Sequence, residues 1–296
     1  MPHKSNITYW IKDATKRDIC GHFLWLVNLL REFNISIPRM IIFFRQIKQI
    51  SEIYEYLISC LGHEAYVDYK PNGPNDDRNR LFDMFHLKTD DEVKENICAS
   101  YQNPDGNIRV VLSSTSFSMG LDVKAVDYVI HYGPANDIDD YVQETGRAGR
   151  NFSKQCHAIL IKYKRCLGSK NISKEMKEYV KTKTCRRKEI LQFFGFSTEL
   201  PSITKHDCCD ICMKSCRCNC KCSTDECNCE SSNYCNKVEP PLISAILTTE
   251  PENTNSDSSG SSTDAESPEI DSESSETDIE VQSRKPQIIY YSSDSD

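Results

Sequence analysis

The sequence predicts an α/β domain in residues 1–162, built on a doubly wound parallel sheet. Four short apolar runs, at residues 40–44, 108–112, 126–130 and 158–161, are almost uninterrupted by polar side chains. Such runs are typical of strands buried on both faces, because a strand with one solvated face alternates apolar and polar residues. The segments between them place apolar residues at helical spacing, so we expect helices on both faces of the sheet.

Two further strands complete the predicted sheet. Residues 7–10 form an opening strand, and residues 65–69 form a weaker one. Helices are expected around residues 23–30 and 47–61, where apolar residues recur every three or four positions. Residues 71–74 read Pro-Asn-Gly-Pro and form a loop by their turn chemistry.

Beyond residue 162 the composition changes. Residues 163–215 are predicted to form a small helical subdomain with a Lys-rich helix at 172–194, and residues 216–237 form a cysteine-rich extension. Residues 238–296 are dominated by Ser, Thr, Asp, Glu, Asn and Pro. We expect this last segment to be a disordered tail, because so few apolar residues cannot offset the entropy of ordering a backbone.

Charge is distributed unevenly along the chain. Of the net charge of −8, residues 251–296 contribute 12 acidic and 2 basic side chains, whereas residues 151–190 hold 12 basic and 3 acidic ones. A basic block of this kind is typical of contact with a polyanion, although a solvated lysine-rich helix face fits the same composition. No run of about 18 apolar residues and no apolar secretory signal occur, so an intracellular protein is expected.

Two glycine-containing loops are expected to follow strands of the predicted sheet, outside the carboxyl ends of the strands, where ligands of open parallel sheets normally bind. The first reads SSTSFSMGLD at 113–122, where hydroxyl groups suit phosphate oxygens and Asp122 suits a ribose hydroxyl; a Ser-rich turn fits equally well. The second reads QETGRAGR at 143–150. The spacing of Arg147 and Arg150 predicts both guanidinium groups on one side of a helical turn. Two surface arginines that close a helix are the alternative, against which the neighbouring glycines weigh.

These loops resemble motifs V and VI of the superfamily 2 helicases, in particular of the RecQ-type DNA helicases. The similarity covers about residues 5–213. NITY at 6–9 resembles the start of the second RecA-like lobe, IIFFR at 41–45 resembles motif IV, and CRR at 185–187 with CCDIC at 208–212 resembles the zinc-binding subdomain. The resemblance implies a RecA-like parallel sheet with helices on both faces, followed by a helical zinc-binding subdomain.

The resemblance also implies a role for each matching residue. Arg147 and Arg150 would reach the γ-phosphate of ATP across an interface between two lobes, and Gln143 would couple that site to DNA. The remaining implied contacts are to the nucleotide ribose by Gly120 and Asp122, and to the DNA backbone by Ser114 and Thr115. The implied activity is ATP-dependent 3′-to-5′ unwinding of DNA, and the implied location is the nucleus.

Parts of the family pattern are absent from the sequence. Ser118 stands where the family usually has Gly, and Asn151 and Phe152 follow motif VI where Asp-Gly is usual. The sequence contains neither a G-x-x-x-x-G-K-[S/T] loop nor a D-E-x-H motif, which cradle the phosphates and hold Mg²⁺ in the first lobe of such motors. We therefore expect half a motor, which binds ATP and Mg²⁺ only when a first lobe completes it. The alternative is a DNA-binding or regulatory module that works without ATP.

Cys185, Cys208, Cys209 and Cys212 are the predicted ligands of a structural zinc ion, on spacing together with the resemblance. The C-x-x-C spacing of Cys209 and Cys212 presents two thiolates to one tetrahedral ion. A closed site of four sulfurs supplies folding free energy to a segment that is poor in apolar residues. Disulfides are the alternative to a metal, and His206 is an alternative ligand to Cys208.

The remaining cysteines form two groups. Seven of them repeat C-x-C spacing, which favours a second zinc or a Cu(I) cluster, or else a redox-labile extension. They stand at 216, 218, 220, 222, 227, 229 and 235. The other five, Cys20, Cys60, Cys98, Cys156 and Cys166, are expected to be small buried hydrophobic residues.

Two segments predict macromolecular partners. The basic block includes the helix of Cys185, so Lys181, Arg186 and Arg187 are the expected contacts to DNA phosphates, with little sequence specificity. Near the C-terminus, residues 287–296 read QIIYYSSDSD, which resembles a SUMO-interacting motif that adds a strand to a sheet edge. A hydrophobic interruption without function is the alternative.

Overall fold

The sheet of the protein is parallel throughout, with the strand order β1-β6-β5-β2-β4-β3. The computed structural model describes residues 4–14, 18–71, 76–103, 105–114, 126–150, 154–197, 205–215 and 241–247. Within these ranges the strands are β1 (Ile7–Asp13), β2 (Met40–Phe44), β3 (Phe82–Phe85), β4 (Val110–Ser113), β5 (Tyr128–Tyr132) and β6 (Cys156–Lys162).

Helices follow the strands and then continue beyond the sheet. Those interspersed with the strands are α1 (Ile19–His22), α2 (Leu24–Phe33), α3 (Ile47–Leu61), α4 (Asp91–Gln102) and α5 (Ile138–Thr145). Those after β6 are α6 (Lys174–Lys181), α7 (Arg186–Phe193), α8 (Lys205–Cys208), α9 (Asp210–Ser215) and α10 (Pro241–Leu247). Single 3-10 turns occupy Asn34–Ser36, Gly62–Ala65, Asp77–Asn79 and Cys166–Gly168.

The four apolar runs and the opening strand are confirmed as strands of one sheet. β2 lies at its centre, where Met40 pairs with Val110 of β4 on one side and with Tyr128 of β5 on the other. Every residue of β2, β4 and β5 is buried, which explains why these segments lack polar alternation. β1 pairs with β6, so the opening strand forms one edge of the sheet.

Successive side chains of each strand enter different cores, because strand residues point alternately to the two faces. Ile42 and Phe44 of β2 pack in the same cluster as α2 and α3, and Ile41 and Phe43 pack in the same cluster as α4. A third cluster joins β1 and β6 to α5, α6 and α7. Helices therefore cover both faces of the sheet, as predicted.

One predicted strand is wrong and another strand was not predicted. Residues 65–69 do not join the sheet: Gly62–Ala65 is a 3-10 turn, and Tyr66 makes only an isolated antiparallel bridge with Arg80. The sixth strand is instead β3, which is short and carries the buried Asp83 in an otherwise apolar run. Its four residues and this internal carboxylate gave too weak a signal to be recognised.

The Lys-rich stretch at 172–194 is two helices rather than one. Ser173 caps the first of them by accepting a hydrogen bond from the Met176 amide, and α6 then ends at Lys181. The second helix begins after Cys185, which is its N-cap. Cys185 therefore lies at a helix start, where its thiol can face a separate segment of chain, and not within a continuous basic helix.

A short helix also forms in part of the predicted tail. Within residues 238–296, α10 is described, and its Leu242, Ile243 and Ile246 are buried in the same cluster as α2. The expectation of disorder is therefore wrong for residues 241–247, and the rest of that segment lies outside the described residues. Among the described helices, none has the length and apolar character needed to cross a membrane.

Candidate functional sites

The predicted arginine loop follows α5 and lies at the amino edge of the sheet. Asp137 caps the start of α5 by accepting from the Asp140 amide, and the helix ends at Thr145. Because α5 follows the carboxyl end of β5 and runs back across the sheet, residues 146–150 lie near the first residues of β1 and β6. This corrects the expectation that both glycine-containing loops follow strands at the carboxyl edge.

Arg147 and Arg150 do not share a helical turn. The Arg147 and Ala148 amides donate to the carbonyls of Glu144 and Thr145, which closes a tight turn after the helix, and Gly149 then adopts the left-handed region at φ +66°. Arg147 is half-buried, and burial lowers the pKa of its guanidinium, whereas Arg150 is exposed. The two side chains therefore leave an irregular loop that the glycine redirects.

Two residues near the start of β1, Lys4 and Asn6, hold the arginine loop by hydrogen bonds to its carbonyls. The Lys4 ammonium donates to the Gly146 carbonyl at 2.5 Å and to the Ala148 carbonyl at 2.8 Å. The Asn6 amide donates to the Gly149 carbonyl at 3.2 Å, and a Cβ at Gly149 would lie 2.8 Å from the same Asn6 nitrogen. Nothing in the sequence marks Lys4 as a functional candidate, because its partners are backbone groups more than 140 residues away.

A buried hydrogen bond between Glu144 and His131 fixes the last turn of α5 against the sheet. The Glu144 carboxylate lies 2.7 Å from Nε2 of His131 on β5, and both side chains are 2% exposed. The His131 ring also stacks on Phe43 with its centroid at 5.2 Å. Glu144 belongs to the QETGRAGR motif, and its side chain contacts His131 in the interior. The neighbouring Gln143 is exposed.

The residues predicted for the first loop are only partly described. Ser114 is half-buried and follows β4, where its amide donates to the Phe85 carbonyl at 3.1 Å. Because the strands are parallel, Ser114 lies at the edge of the sheet opposite to the arginine loop. Thr115, Gly120 and Asp122 lie outside the described residues, so their predicted roles stay predictions.

The four predicted metal ligands converge on one point. The Sγ atoms of Cys185, Cys208, Cys209 and Cys212 all lie within 4.8 Å of one another, and the first two are 3.4 Å apart. A tetrahedral ion with sulfur ligands at about 2.3 Å separates its ligand atoms by roughly 3.8 Å. The observed cluster therefore matches a closed four-sulfur zinc site in both donor type and size, and it includes Cys208 without a need for His206.

The close approach of the four thiols shifts their acidities in opposite directions. Hydrogen bonding by Cys208, Cys209 and Cys212 holds the pKa of Cys185 below its usual value, and the contact with Cys185 raises the pKa of Cys208 and of Cys212. The thiolate is the form of cysteine that binds metal. Cys208 and Cys209 are buried, so an ion at this point would be enclosed by protein.

Arg186 and Arg187, predicted as DNA contacts, point into the protein instead. Arg186 is 6% exposed and pairs with Asp210, and Arg187 is 1% exposed. The Arg187 guanidinium donates to the carbonyls of Lys4 and Ile7. This corrects the prediction, because a guanidinium enclosed by internal partners cannot also reach a phosphate. Lys181 is exposed and remains a candidate contact.

The zinc-binding segment also covers the free edge of β1. Cys209 forms a parallel bridge with Tyr9, the Thr8 hydroxyl donates to the Asp207 carbonyl at 2.9 Å, and the Ile11 amide donates to Asp210 at 3.2 Å. An edge strand otherwise presents unpaired backbone groups that template aggregation. The cysteine cluster is thus joined to the same strand whose start supports the arginine loop.

Comparison with known proteins places two family models along the chain. The model described as helicase conserved C-terminal domain matches residues 21–152, and the model described as RecQ zinc-binding matches residues 164–213. The first spans most of the sheet and the arginine loop. The second includes all four clustered cysteines.

Curated relatives agree with these matches over part of their length. A putative ATP-dependent RNA helicase of Acanthamoeba polyphaga mimivirus is 32% identical over 145 residues, covering 44% of this chain and 25% of the relative. The ATP-dependent DNA helicase hus2/rqh1 of Schizosaccharomyces pombe is 29% identical, covering 44% of this chain and 11% of the relative. The ATP-dependent DNA helicase RecQ of Pasteurella multocida is 27% identical, covering 44% and 22%. The matched part is thus about a quarter or less of the length of these relatives.

Among solved structures, the DEAD-box protein SrmB of E. coli is similar at a TM-score of 0.39 and 18% identity, covering 53% of this chain and 78% of that chain. The fold assignment does not depend on this similarity, since strand order and connectivity establish the parallel sheet directly. With a helicase C-terminal domain followed by a RecQ zinc-binding segment whose four thiols converge, this chain carries the carboxyl-terminal half of a RecQ-type helicase.

Proposed function

We propose that the chain is the C-terminal motor half of an ATP-dependent 3′-to-5′ DNA helicase. The proposal rests on the fixed position of the arginine loop, residues 146–150. Lys4 and Asn6 hold this loop by hydrogen bonds near the start of β1. Several hydrogen bonds hold the loop, so its side chains keep fixed positions. They can then contact a ligand that is bound mainly by another lobe. Positioned cations of this kind suit a polyphosphate.

In the proposed mechanism, Arg147 and Arg150 act on ATP that is bound mainly by another RecA-like lobe. Their guanidinium groups would stabilise the charge that develops on the transferred γ-phosphoryl group. Residues of that other lobe would hold Mg²⁺, which would neutralise part of the phosphate charge. The exposed Gln143 would sense bound DNA, and Gly120 and Asp122 would contact the ribose.

Binding of DNA would be electrostatic and largely independent of sequence. Ser114, at the carboxyl end of β4, and Thr115 would contact the DNA backbone. Lys181 would add a phosphate contact from the last turn of α6. Lys183 and Lys188 follow it closely in the sequence and are also exposed. Because each phosphate contact releases counterions, affinity should fall steeply with salt.

We propose zinc as the structural ion of the cysteine cluster, on the donor set and the spacing of its sulfurs. The ion would hold α7 and α9 together and would take no part in phosphoryl transfer. DNA as a substrate also favours a nuclear location in a eukaryotic cell. SUMO binding by residues 287–296 stays a prediction, which Ile288→Ala/Ile289→Ala should abolish in a pull-down with SUMO.

The decisive experiment joins this chain to a first lobe. We would fuse residues 1–296 to the first RecA-like lobe of the Pasteurella multocida RecQ helicase, since a covalent link raises the effective concentration of the two parts. The fusion should hydrolyse ATP when single-stranded DNA is added, and the chain alone should not.

The matched controls are Arg147→Ala and Arg150→Ala in the fusion. Each should lower kcat by about a hundredfold or more, as expected for loss of an arginine that stabilises transferred phosphoryl charge. A fusion that hydrolyses ATP equally well with both arginines replaced would refute the assigned roles. DNA binding by an inactive fusion, unaffected by ATP, would instead favour the ATP-independent module.

A further inference from the structure

We infer that Lys4 is a positioning residue for Arg147 and Arg150, and that Arg187 of the zinc-binding subdomain holds Lys4 in place. The inference rests on the proposed function for the meaning of the arginines, but its geometry stands by itself. It assigns a mechanical task to two cations that the motifs of the arginine loop do not include.

Lys4 contacts the arginine loop directly through its ammonium group. The ammonium donates to the carbonyls of Gly146 and Ala148, the two residues that flank Arg147. Two hydrogen bonds from one nitrogen fix the separation and direction of these carbonyls, and thereby the backbone from which Arg147 leaves. An ammonium has three donors and no acceptor, so it suits this task better than a polar neutral group.

Positive charge is concentrated around the Lys4 ammonium. Burial lowers the pKa of Lys4, and the nearby cations Arg150 and Arg147 lower it further. Placing three cations together is unfavourable unless their positions serve a common anion. Lys4 therefore both orients the loop and adds positive potential beside the two arginines, where a polyphosphate is proposed to bind.

Arg187 joins Lys4 to the segment that carries the four clustered cysteines. Arg187 Nη1 donates to the Lys4 carbonyl at 2.7 Å, its Nη2 donates to the Ile7 carbonyl, and its guanidinium lies 5.2 Å from the Tyr9 ring centroid. Arg187 is two residues from Cys185, in the first turn of α7. The position of α7 therefore sets the position of Arg187. Arg187 in turn holds the backbone of Lys4, and the Lys4 side chain holds the loop.

The test is hydrogen exchange of the full 296-residue chain, measured by mass spectrometry. The amides of residues 146–148 donate within the loop and should be protected. Lys4→Met, which keeps the aliphatic stem and removes the donors, should speed their exchange about tenfold relative to amides of β2. Lys4→Arg should restore protection, because a guanidinium can also donate to two carbonyls. Arg187→Lys should give a smaller change in the same amides.

The matched control is Lys162→Met. Lys162 lies at the other end of the same strand pair, where it bonds to Asp13 across β1 and β6. This variant should leave the exchange of residues 146–148 unchanged. Equal exchange in Lys4→Met and wild type, or a change no larger than that of the β2 amides, would overturn the inference. So would a loop that Lys4→Arg fails to protect.

A kinetic measurement separates this inference from the proposed function. In the lobe fusion, Lys4→Met should lower kcat about tenfold with little change in the KM for ATP, and Lys4→Arg should recover it, because a displaced arginine loses transition-state contacts more than substrate binding. An inactive fusion would count against the proposed function while leaving the exchange result intact. An active fusion that is insensitive to Lys4→Met would count against the inference alone.

Discussion

Arg186 and Asp210 form a buried ion pair with two hydrogen bonds, Nε to Oδ1 at 2.6 Å and Nη2 to Oδ2 at 3.0 Å. The pair joins the first turn of α7 to the turn between Cys209 and Cys212. Asp210 also accepts from the Ile11 amide of β1. One carboxylate thus links the cysteine cluster, the helix α7 and the edge strand β1.

Asp210→Asn should destabilise the protein by about 3–5 kcal/mol, because it leaves the Arg186 charge buried without its counter-charge. The measurement is the free energy of unfolding from urea titration monitored by circular dichroism. Asp91→Asn is the control, since its pair with Lys94 is exposed at the carboxylate and should contribute less than about 1 kcal/mol. Equal losses in the two variants would show that the buried pair has no special weight.

Cys209→Ser should remove the bound metal. A site of four sulfurs that loses one ligand can no longer enclose zinc, and its binding free energy is folding free energy for the segment. Metal content by atomic emission should fall well below one zinc per chain, and the melting temperature should fall with it. Cys98→Ser, on α4 and outside the cluster, should retain both values. One full zinc per chain in Cys209→Ser would remove the assignment.

Gly149→Ala should distort the arginine loop. An alanine at φ +66° costs about 1–2 kcal/mol, and its Cβ would also lie 2.8 Å from the Asn6 amide nitrogen. We expect a comparable loss in unfolding free energy, with faster hydrogen exchange confined to residues 146–150. Gly168→Ala is the control, since an added Cβ there meets no atom within 4 Å. Wild-type stability and exchange in Gly149→Ala would contradict this account of the turn.

The buried strands and one pair of the clustered thiols were predictable from local sequence, because both leave a local signature. Uninterrupted apolar runs mark β2, β4 and β5, which are buried on both faces. The C-x-x-C spacing marks one pair of thiols. The edge strand β3 was missed because its four residues include a buried carboxylate. Residues 65–69 were misread because tyrosine and valine are typical of strands, although here only an isolated bridge between Tyr66 and Arg80 forms.

The positions of charged side chains were less predictable. Arg186, Arg187 and Lys181 lie in one basic block, yet only Lys181 is exposed. The partner of Arg186 is 24 residues away, and Arg187 bonds to carbonyls about 180 residues away. Composition counts charges but does not reveal a distant backbone acceptor, so it cannot separate an internal cation from one that faces a phosphate.

Ile243→Ala should lower the unfolding free energy by about 2–4 kcal/mol, in the range for a buried isoleucine truncated in a core. Ile243 is 1% exposed and packs in the cluster of α2. Leu87→Ala, at a side chain that is 79% exposed, should change stability by less than about 0.5 kcal/mol. If both variants unfold at the same urea concentration as wild type, α10 contributes nothing to the core.

His157 should make the folded domain sensitive to mild acid. Burial lowers the pKa of His157 to about 4, and its Nδ1 accepts a hydrogen bond from the Trp10 indole at 3.2 Å, which requires the neutral ring. An unfolded histidine titrates near 6.5, so the unfolded state binds the proton first as pH falls. The stability from the neutral ring is complete above about pH 6.5 and is lost progressively as pH falls towards 4.

The measurement compares wild type with His157→Gln between pH 7.5 and 4.5, using urea unfolding at each pH. Wild type should lose about 2–3 kcal/mol more than the variant over this range, since each unit of pKa difference corresponds to about 1.4 kcal/mol. Carboxylates contribute equally to both proteins and cancel in the difference. His63→Gln, at an exposed histidine, controls for the substitution itself. Parallel slopes for wild type and His157→Gln would mean that the buried ring accepts a proton without cost, and the Trp10 bond would then need another donor and acceptor assignment.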